Sequence, residues 1–477
     1  MKRTALSAAA LCITAAMAAE VKLPSLIADN MMLQQNCQAT LWGSAAPNSQ
    51  VTIIPSWASA ATTTTADNDG KWTATVATPE ASYDSYQITF ADSESSTTVS
   101  GVIVGEVWLA AGQSNMQMPL KGFDGCCVQN GQDDAINASR DYPGVRMFNV
   151  PMKHSYTPQE SCGGHWMTTQ NFTDVMEFSA TAFYFASNLS QALRVPVGIV
   201  NCSYGGTRVE SWLPKEILDG YPDISTDSAT IWASTPEYER PLVTYNAMFY
   251  PIRHYTVKGI IWYQGCSNVG SFSTYAERLA TMVERWKTDM AQPELPFYYV
   301  EIAPYDYGSG DYASGARLRE AQLKAESLIP NSAMTSTNDL AETFERYNIH
   351  PRRKMEVGHR LSYLALNLTY GMTQVCCFGP RYKSWRTEGN QAWVAFDHLD
   401  RGMCRNYDFK GFEIAGDDQV FYPADNAWLN WQTNEIVVTS DKVPAPAAVR
   451  YCFRDFQTGT VIGGNELPAV PFRTDDW

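Results

Sequence analysis

From about residue 102 the chain alternates short apolar segments with helical segments, and this alternation restricts its fold more than any other feature. The apolar segments that have the composition of buried strands lie at 102–110, 197–202, 257–263, 297–303 and 332–337. Strands that alternate with helices pair in parallel, because each crossover helix packs back onto one face of the sheet. The sequence therefore predicts an α/β fold with a doubly wound, mostly parallel sheet.

The segments between these strands have the spacing of helices that pack on one face. The clearest example carries Leu279, Met282, Val283, Trp286 and Met290 at helical intervals. The other helical segments lie at 178–193, 317–329 and 354–368. In a doubly wound sheet, functional sites form at the carboxyl ends of the strands. We therefore expect the chemistry of this chain at those ends.

The segments on either side of this core lose the helical period. Residues 20–104 are rich in Thr, Ser, Ala and Val in short alternating runs, which predict an N-terminal β-sandwich. Short β-like runs such as 435–439 return near the end of the chain and predict a C-terminal β-domain over 372–477. With 477 residues the chain exceeds the size of one core. We therefore predict an α/β domain at 105–371, which would carry the functional site, between two β-domains.

The first residues have the pattern of an export signal. Lys2 and Arg3 precede an apolar run at 5–16, and Ala16-Met17-Ala18 resembles a cleavage site. This pattern predicts a signal peptide at 1–19 and a secreted or periplasmic protein. No other segment approaches the roughly 20 apolar residues that a membrane span needs, so no span is predicted.

The charge of the chain argues against two classes of partner. Loss of Lys2 and Arg3 with the signal takes the formal charge from −15 to −17. An acidic surface repels nucleic acid and anionic lipid, so neither is expected to bind. The sequence has no CxxC or other zinc-type spacing. We therefore expect no structural metal.

A serine directly follows the first core strand. The strand 102–110 leads into the sequence GQSNM at 112–116, in which Ser114 is central. A serine on a tight turn after a strand exposes its hydroxyl and has the N–H groups of the next helix behind it. This is the position of a nucleophile in α/β hydrolases. A helix cap is the alternative role for such a serine.

A serine nucleophile needs a base, and His350 has the most favourable position among six histidines. It follows the last core strand and precedes the final core helix. In doubly wound hydrolases a histidine at that point returns to the nucleophile of the first strand. An exposed loop histidine is the alternative. The remaining histidines lie in an irregular stretch, before a strand, within a helix or in the β-rich tail, and they are His154, His165, His254, His359 and His398.

Two further strand ends carry groups that could bind an oxyanion. Gly205 and Gly206 follow the second strand, and Gln264 and Asn268 follow the third. Acyl transfer requires N–H donors directed at the negative charge that develops on the carbonyl oxygen. The glycines offer backbone N–H groups and the amides offer side-chain donors. Either segment could instead be a simple turn.

Taken together, these segments resemble the sialate O-acetylesterase family of SGNH hydrolases. The family carries GQSNM, GGT–SW, IWYQGESN and IHP–K–VG–RL blocks in that order, and matching blocks lie here at 112–116, 205–212, 261–268 and 349–361. The resemblance implies an SGNH or flavodoxin-like core. It also implies a cofactor-free serine esterase that removes O-acetyl groups from sugars, with O-acetylated sialic acid as the leading substrate.

Carried over by position, the resemblance implies Ser114 as nucleophile and His350 as base. Gly205 or Gly206, with Gln264 or Asn268, would then hold the oxyanion. Sialic acid carries a carboxylate, and Arg208 and Arg319 are eligible partners for it. Two alternatives remain open: esterase activity on a neutral plant polysaccharide such as acetylated xylan, and a carbohydrate-binding protein without catalysis.

Two positions depart from the family pattern. The glutamate of the family's QGE is Cys266, and the acidic residue that many relatives place two positions before the histidine is Asn348. We expect Cys266 to act as a small buried hydrophobe and activity to survive. For the acid of a triad, Asp339 at the end of the last strand is the first candidate and Glu342 the second. A Ser–His dyad is also possible.

Overall fold

The computed structural model describes residues 20–405 and 408–477. The predicted signal peptide at 1–19 lies outside these described residues. Within them, no helix has both the length and the apolar composition that a membrane crossing requires. All ten cysteines of the described ranges are unpaired.

The N-terminal strands form a small sandwich that leads into the core. Their bounds are β1 Met32–Gln34, β2 Gln38–Ser44, β3 Gln50–Pro55, β4 Thr62–Thr65, β5 Lys71–Ala77, β6 Ser82–Ala91 and β7 Ser96–Gly112. β3 pairs with β4 and β6, and β6 pairs with β7, all antiparallel, while β2 and β5 form a separate pair. β7 has 17 residues and continues into the core sheet. The predicted boundary at residue 104 thus falls within a continuous strand, and the domain bounds stay a prediction.

The core sheet has the order β13-β12-β11-β7-β10-β8-β9. Its further strands are β8 Val145–Asn149, β9 Trp166–Thr168, β10 Val197–Ser203, β11 Gly259–Tyr263, β12 Phe297–Val300 and β13 Ser332–Thr335. Neighbouring strands are parallel except β8 and β9. The predicted fold class, a doubly wound and mostly parallel sheet with flanking β-domains, is confirmed. The short strands β8 and β9 were not predicted, because they lie in a stretch without clear periodicity.

Helices cover both faces of this sheet. Their bounds are α1 Ser114–Gln117, α2 Gly131–Asp141, α3 Phe172–Met176, α4 Ala180–Leu193, α5 Lys215–Leu218, α6 Ser228–Ala233, α7 Phe272–Asp289, α8 Ser314–Leu328 and α9 Lys354–Leu364. Alternate residues of β7 enter two separate cores: Leu109 packs with α7 and α8, and Trp108 packs with α4 and α9. A strand buried on both faces is the reason why its sequence is apolar without interruption.

The C-terminal strands form two antiparallel sheets of four strands each. They are β14 Arg381–Glu388, β15 Gln391–Asp397, β16 Phe412–Ala415, β17 Tyr422–Pro423, β18 Asn426–Asn430, β19 Glu435–Thr439, β20 Ala448–Tyr451 and β21 Phe472–Arg473. Helix α8 joins this unit to the core, since Glu320 binds Arg473 through two hydrogen bonds of 2.8 and 3.0 Å.

The close approach of α4 and α9 requires a glycine. A Cβ added at Gly358 would lie 2.6 Å from the carbonyl oxygen of Thr181 and 2.7 Å from the amide nitrogen of Phe185. We predict that Gly358→Ala lowers the free energy of unfolding by about 1–3 kcal/mol, because the added methyl must push the helices apart. Urea denaturation measures this change. Gly310→Ala is the matched control, since no atom lies within 4 Å of the added group. Equal stability of the two variants would contradict the packing argument.

Candidate active site

Ser114 begins α1 directly beyond the carboxyl end of β7. Gly112 makes the turn possible: its φ is +137°, and an added Cβ would lie 2.2 Å from the carbonyl oxygen of Tyr263. The carbonyl of Gly112 accepts the N–H of Tyr204 from the end of β10 at 2.9 Å. The neighbouring strands thus hold the turn from both sides and leave Ser114 half-buried at the edge of the sheet.

The side chain of Gln113 fixes the turn to the loop after β11. Its Oε1 accepts the N–H groups of Gly265 at 2.7 Å and Cys266 at 2.8 Å, and its Nε2 donates to Ser267 Oγ at 3.3 Å. Gln113 is itself buried. A buried amide with these partners makes the loop and the nucleophile turn one rigid unit.

His350 reaches Ser114 from a loop 236 residues further along the chain. Its Nε2 lies 2.7 Å from Ser114 Oγ, a distance at which a base can take the hydroxyl proton. Asn348 Oδ1 accepts the backbone N–H of His350 at 3.0 Å, and the ring of Phe123 packs edge-on at 5.2 Å. The structure therefore brings the predicted nucleophile and base together.

The surroundings of His350 favour the neutral imidazole. Burial and, second, the nearby Lys354 ammonium lower the pKa of His350 to about 4. A histidine with this pKa is unprotonated at neutral pH, so it can accept a proton from Ser114.

Neither predicted triad acid binds His350. Both carboxylate oxygens of Asp339 accept hydrogen bonds from Arg360, at 2.7 and 2.6 Å. Glu342 caps the short helical turn Thr343–Glu345. Among the described residues, no carboxylate has a hydrogen bond to His350. Arg360 is largely buried and needs a counter-charge, which Asp339 supplies. Ser114 and His350 therefore form a pair without a carboxylate partner among the described residues.

The predicted glycines lie beside the nucleophile, but they differ in their hydrogen bonds. Gly205 packs against Ser114, since a Cβ added there would lie 3.2 Å from Ser114 Cβ. Its N–H donates to Gln117 Oε1 at 2.7 Å. Within the described chain, the N–H groups of Gly206 and of Ser114 have no hydrogen-bond partner. These two backbone N–H groups are therefore available to bind an oxyanion.

The predicted amide donors are used inside the protein. Gln264 Nε2 donates to Thr207 O at 3.1 Å and to Asn268 Oδ1 at 2.8 Å, and Asn268 Nδ2 donates to Glu210 Oε2 at 3.0 Å. Both amides are fully buried, and their donors are directed at these partners rather than at Ser114. They connect the loops after β10 and β11. In this structure the two side chains therefore support these loops and do not point at Ser114 as oxyanion donors.

The two arginines considered for a carboxylate also have internal partners. Arg319 is 2% exposed and donates to the carbonyls of Cys452 and Arg454. Arg208 donates to Ser271 Oγ at 2.8 Å. Arg208 borders a pocket of about 240 Å³ whose other charged residues are acidic, namely Glu210, Asp223 and Glu239. Glu210 and Asp223 in turn bind Arg278, and Arg208 Nε lies 3.4 Å from Glu210 Oε2, so Arg208 already has a carboxylate neighbour.

Cys266 lies beside groups that lack a partner. Arg319 Nε and Nη1 are buried and, among the described residues, without hydrogen-bond partners, while Tyr307 Oη lies against the Cys266 thiol. Burial raises the pKa of the Cys266 thiol, so the side chain is a neutral thiol and a poor nucleophile. The positive charge of Arg319 acts on the thiol, so a carboxylate at position 266 would lie near this cation.

Aromatic side chains border the loop that carries the glycines. His154 stacks on Tyr204 with ring centroids 5.0 Å apart, and the partly exposed ring of Tyr238 lies against Gly206. Aromatic surfaces beside a few polar groups are typical of sites for small organic ligands. No group of three or more metal-binding side chains occurs in the described part of the chain.

Comparison with protein families gives one match over most of the core. A family model described as "carbohydrate esterase, sialic acid-specific acetylesterase" matches residues 104–367. A mouse sialate O-acetylesterase is 27% identical over 377 residues, which cover 66% of this chain and 66% of that protein. The human sialate O-acetylesterase is 26% identical over 339 residues, covering 66% of this chain and 63% of that protein. The chain therefore spans about two thirds of the length of these relatives.

One similar solved structure covers nearly the whole chain. It is described as a novel carbohydrate acetylesterase from Xanthomonas citri and superposes with a TM-score of 0.84 at 31% identity. The match includes 96% of this chain and 100% of that chain. The likeness therefore extends to the flanking β-domains.

The pairing of Asp339 with Arg360 leads to a prediction about stability. We expect Asp339→Asn to lower the free energy of unfolding by about 3–5 kcal/mol, because Arg360 would lose its counter-charge. Hydrolysis of an aryl acetate per folded molecule should change less than about tenfold. Urea denaturation and a rate assay below the unfolding transition measure the two effects, with Glu342→Gln as control. A loss of about 10²-fold or more per folded molecule would instead assign Asp339 to His350.

The position of Cys266 leads to a prediction about activity. In Cys266→Glu the new carboxylate can accept hydrogen bonds from Arg319 and Tyr307. We expect the rate on an aryl acetate to change by less than about tenfold, which is about 1.4 kcal/mol in the barrier. Cys266→Ser is the control for the loss of the thiol alone. A folded wild type without activity that gains it in Cys266→Glu would refute this expectation.

Proposed function

This chain belongs to the sialic acid-specific acetylesterase family of carbohydrate esterases, and we propose that it is a serine esterase that removes O-acetyl groups from carbohydrate. The resemblance inferred from the sequence blocks is thereby confirmed at the level of the family, which is a family of carboxylic ester hydrolases. The observation that carries the proposal is the 2.7 Å contact between Ser114 Oγ and His350 Nε2. This contact also favours an enzyme over a carbohydrate-binding protein without catalysis.

The proposed reaction proceeds through an acyl-enzyme. Ser114 Oγ attacks the acetyl carbonyl carbon while His350 takes the proton of the hydroxyl. The backbone N–H groups of Ser114 and Gly206 bind the oxyanion that forms. The protonated His350 then gives its proton to the departing sugar oxygen. A water molecule, deprotonated by His350, attacks the carbonyl carbon of the acetyl-serine. The bond to Ser114 Oγ then breaks, acetate leaves, and the protonated His350 returns its proton to Ser114 Oγ.

O-Acetylated sialic acid is the first substrate that we propose. The family description and the names of the mouse and human relatives support it. The protein would act in the secreted or periplasmic space, as the sequence at 1–19 predicts.

A neutral acetylated polysaccharide, such as acetylated xylan, is the second candidate. A cation would strengthen binding of the sialic acid carboxylate, and the two arginines considered for that purpose have other partners. Arg319 is buried against backbone carbonyls, and Arg208 lies 3.4 Å from the carboxylate of Glu210. A neutral sugar would bind beside the aromatic rings without any need for a free cation.

We predict acetate release from at least one class of acetylated sugar. The assay uses O-acetylated sialosides and acetylated xylan in parallel, with Ser114→Ala as control. Ser114→Ala should lower the rate by about 10⁴-fold and leave the melting temperature nearly unchanged, because the side chain is half-buried and small.

The outcomes of this assay separate the proposals. Release from sialosides alone supports the first substrate, and release from xylan alone supports the second. A Ser114→Ala variant that retains more than a few per cent of the rate would remove Ser114 as nucleophile. A wild type that binds sugar but releases no acetate would make the chain a binding protein.

A further inference from the structure

Lys354 is a buried cation beside the candidate active site. It is the first residue of α9 and is 1% exposed. Its Nζ donates to Asn115 Oδ1 at 2.5 Å and lies 5.8 Å from the centroid of the Tyr263 ring. No carboxylate within the described ranges forms a salt bridge with it. A buried ammonium without such a partner is costly and therefore rare unless it has a function.

Asn115 connects this cation to both reacting residues. It directly follows Ser114, and its Nδ2 donates to the carbonyl of Ile349 at 2.9 Å, which directly precedes His350. The backbone carbonyl of Asn115 also accepts Thr181 Oγ1 at 3.1 Å. One amide therefore joins the nucleophile turn to the histidine loop, and Lys354 fixes its orientation, because only the oxygen of the amide can face the ammonium.

We propose that Lys354 is a positioning residue of the esterase. Through Asn115 it holds Ser114 Oγ and His350 Nε2 within hydrogen-bond distance, and its positive charge favours the neutral form of His350. The inference rests on the proposed function of the Ser–His pair. It explains how a pair without a carboxylate partner keeps the distance of 2.7 Å between Oγ and Nε2.

The groups that face Lys354 come from each element around it. Glu345 lies in the turn after the last core strand, Cys266 follows β11, and Cys126 lies in the loop before α2. The oxygens of Glu345 accept the backbone N–H groups of Glu342 and Arg352 at 2.9 Å each, so this carboxylate is occupied elsewhere. Burial lowers the pKa of Lys354 to about 7.

The charge of Lys354 has a defined effect on His350. Below pH 7 the ammonium is protonated, and together with burial it lowers the pKa of His350 to about 4. The imidazole then stays neutral and able to act as a base in mild acid. Activity should fall only as the pH drops through about 4, rather than through about 6.5, where an unperturbed histidine gains its proton.

Replacement of Lys354 by methionine tests the inference. We expect Lys354→Met to lower kcat on an aryl acetate by about 10- to 100-fold and to leave KM nearly unchanged. The reason is that Ser114 Oγ and His350 Nε2 would no longer be held at the distance that proton transfer needs. The midpoint of the acid limb of the kcat/KM profile should rise by about one pH unit or more, because a neighbouring positive charge is lost. Asn115→Ala removes the hydrogen bonds to Lys354 and Ile349 but keeps the Lys354 ammonium. It should therefore lower kcat, and it should shift the midpoint of the acid limb less than Lys354→Met does.

Lys287→Met is the matched control. Lys287 is also buried, at 6% exposure, but its Nζ donates to the carbonyl of Pro330, directly before β13, and has no contact with Asn115 or His350 among the described hydrogen bonds. This variant should lose stability and keep the wild-type pH profile. An acid limb that is equal in wild type, Lys354→Met and Lys287→Met would overturn the proposal.

An NMR titration of His350 in the Ser114→Ala background gives a readout that does not need activity. We expect the pKa of His350 to rise in Ser114→Ala/Lys354→Met relative to Ser114→Ala. An unchanged pKa would refute the effect of Lys354 even if the wild type is an active esterase. A raised pKa in a protein without any esterase activity would support the electrostatic effect and refute the proposed function.

Discussion

The parallel pairing at the carboxyl end of β7 is the constraint on which the site depends. β7 pairs with β10 from Glu106 to Gly112 and with β11 from Trp108 to Gly112, so its last residue has a strand on each side. The chain can leave such a position only by turning sharply, and the close carbonyl of Tyr263 leaves no room for a side chain at Gly112. Ser114 then begins the next helix at the edge where the loops of the neighbouring strands meet. The position of the nucleophile is thus set by sheet geometry.

A buried polar network keeps these loops in place. Gln113 binds the loop after β11, while Gln264 and Asn268 connect that loop to the loop after β10. Glu210 completes the network, since it also accepts a hydrogen bond of 2.6 Å from the buried Arg278. Buried amides and charges of this kind are costly unless they are hydrogen-bonded. Their pairing explains why conspicuous polar residues at strand ends support the site without facing the substrate.

The same requirement for pairing decides which charges can act on His350. Asp339 is committed to Arg360, and Glu345 to backbone N–H groups. Lys354 is held by an amide alone. The histidine therefore faces a cation rather than a carboxylate, and its basicity is set by burial and by that cation. Cys266 is a second case in which a cation lacks a carboxylate partner. Its neutral thiol lies near Arg319, whose Nε and Nη1 have no hydrogen-bond partner among the described residues.

The sequence by itself determined the alternation of strands and helices, the strand-end position of Ser114 and the late position of His350. These features are local: a period of 2 or 3.6 residues, or a residue directly after a strand, can be read from neighbouring positions. Only the tertiary structure decided that Asp339 pairs with Arg360, that Gln264 and Asn268 bind each other, and that Lys354 reaches Asn115, 239 residues away in the chain. A polar side chain takes whichever partner the fold places nearest to it once water is excluded, and the spacing of residues along the chain does not contain that information.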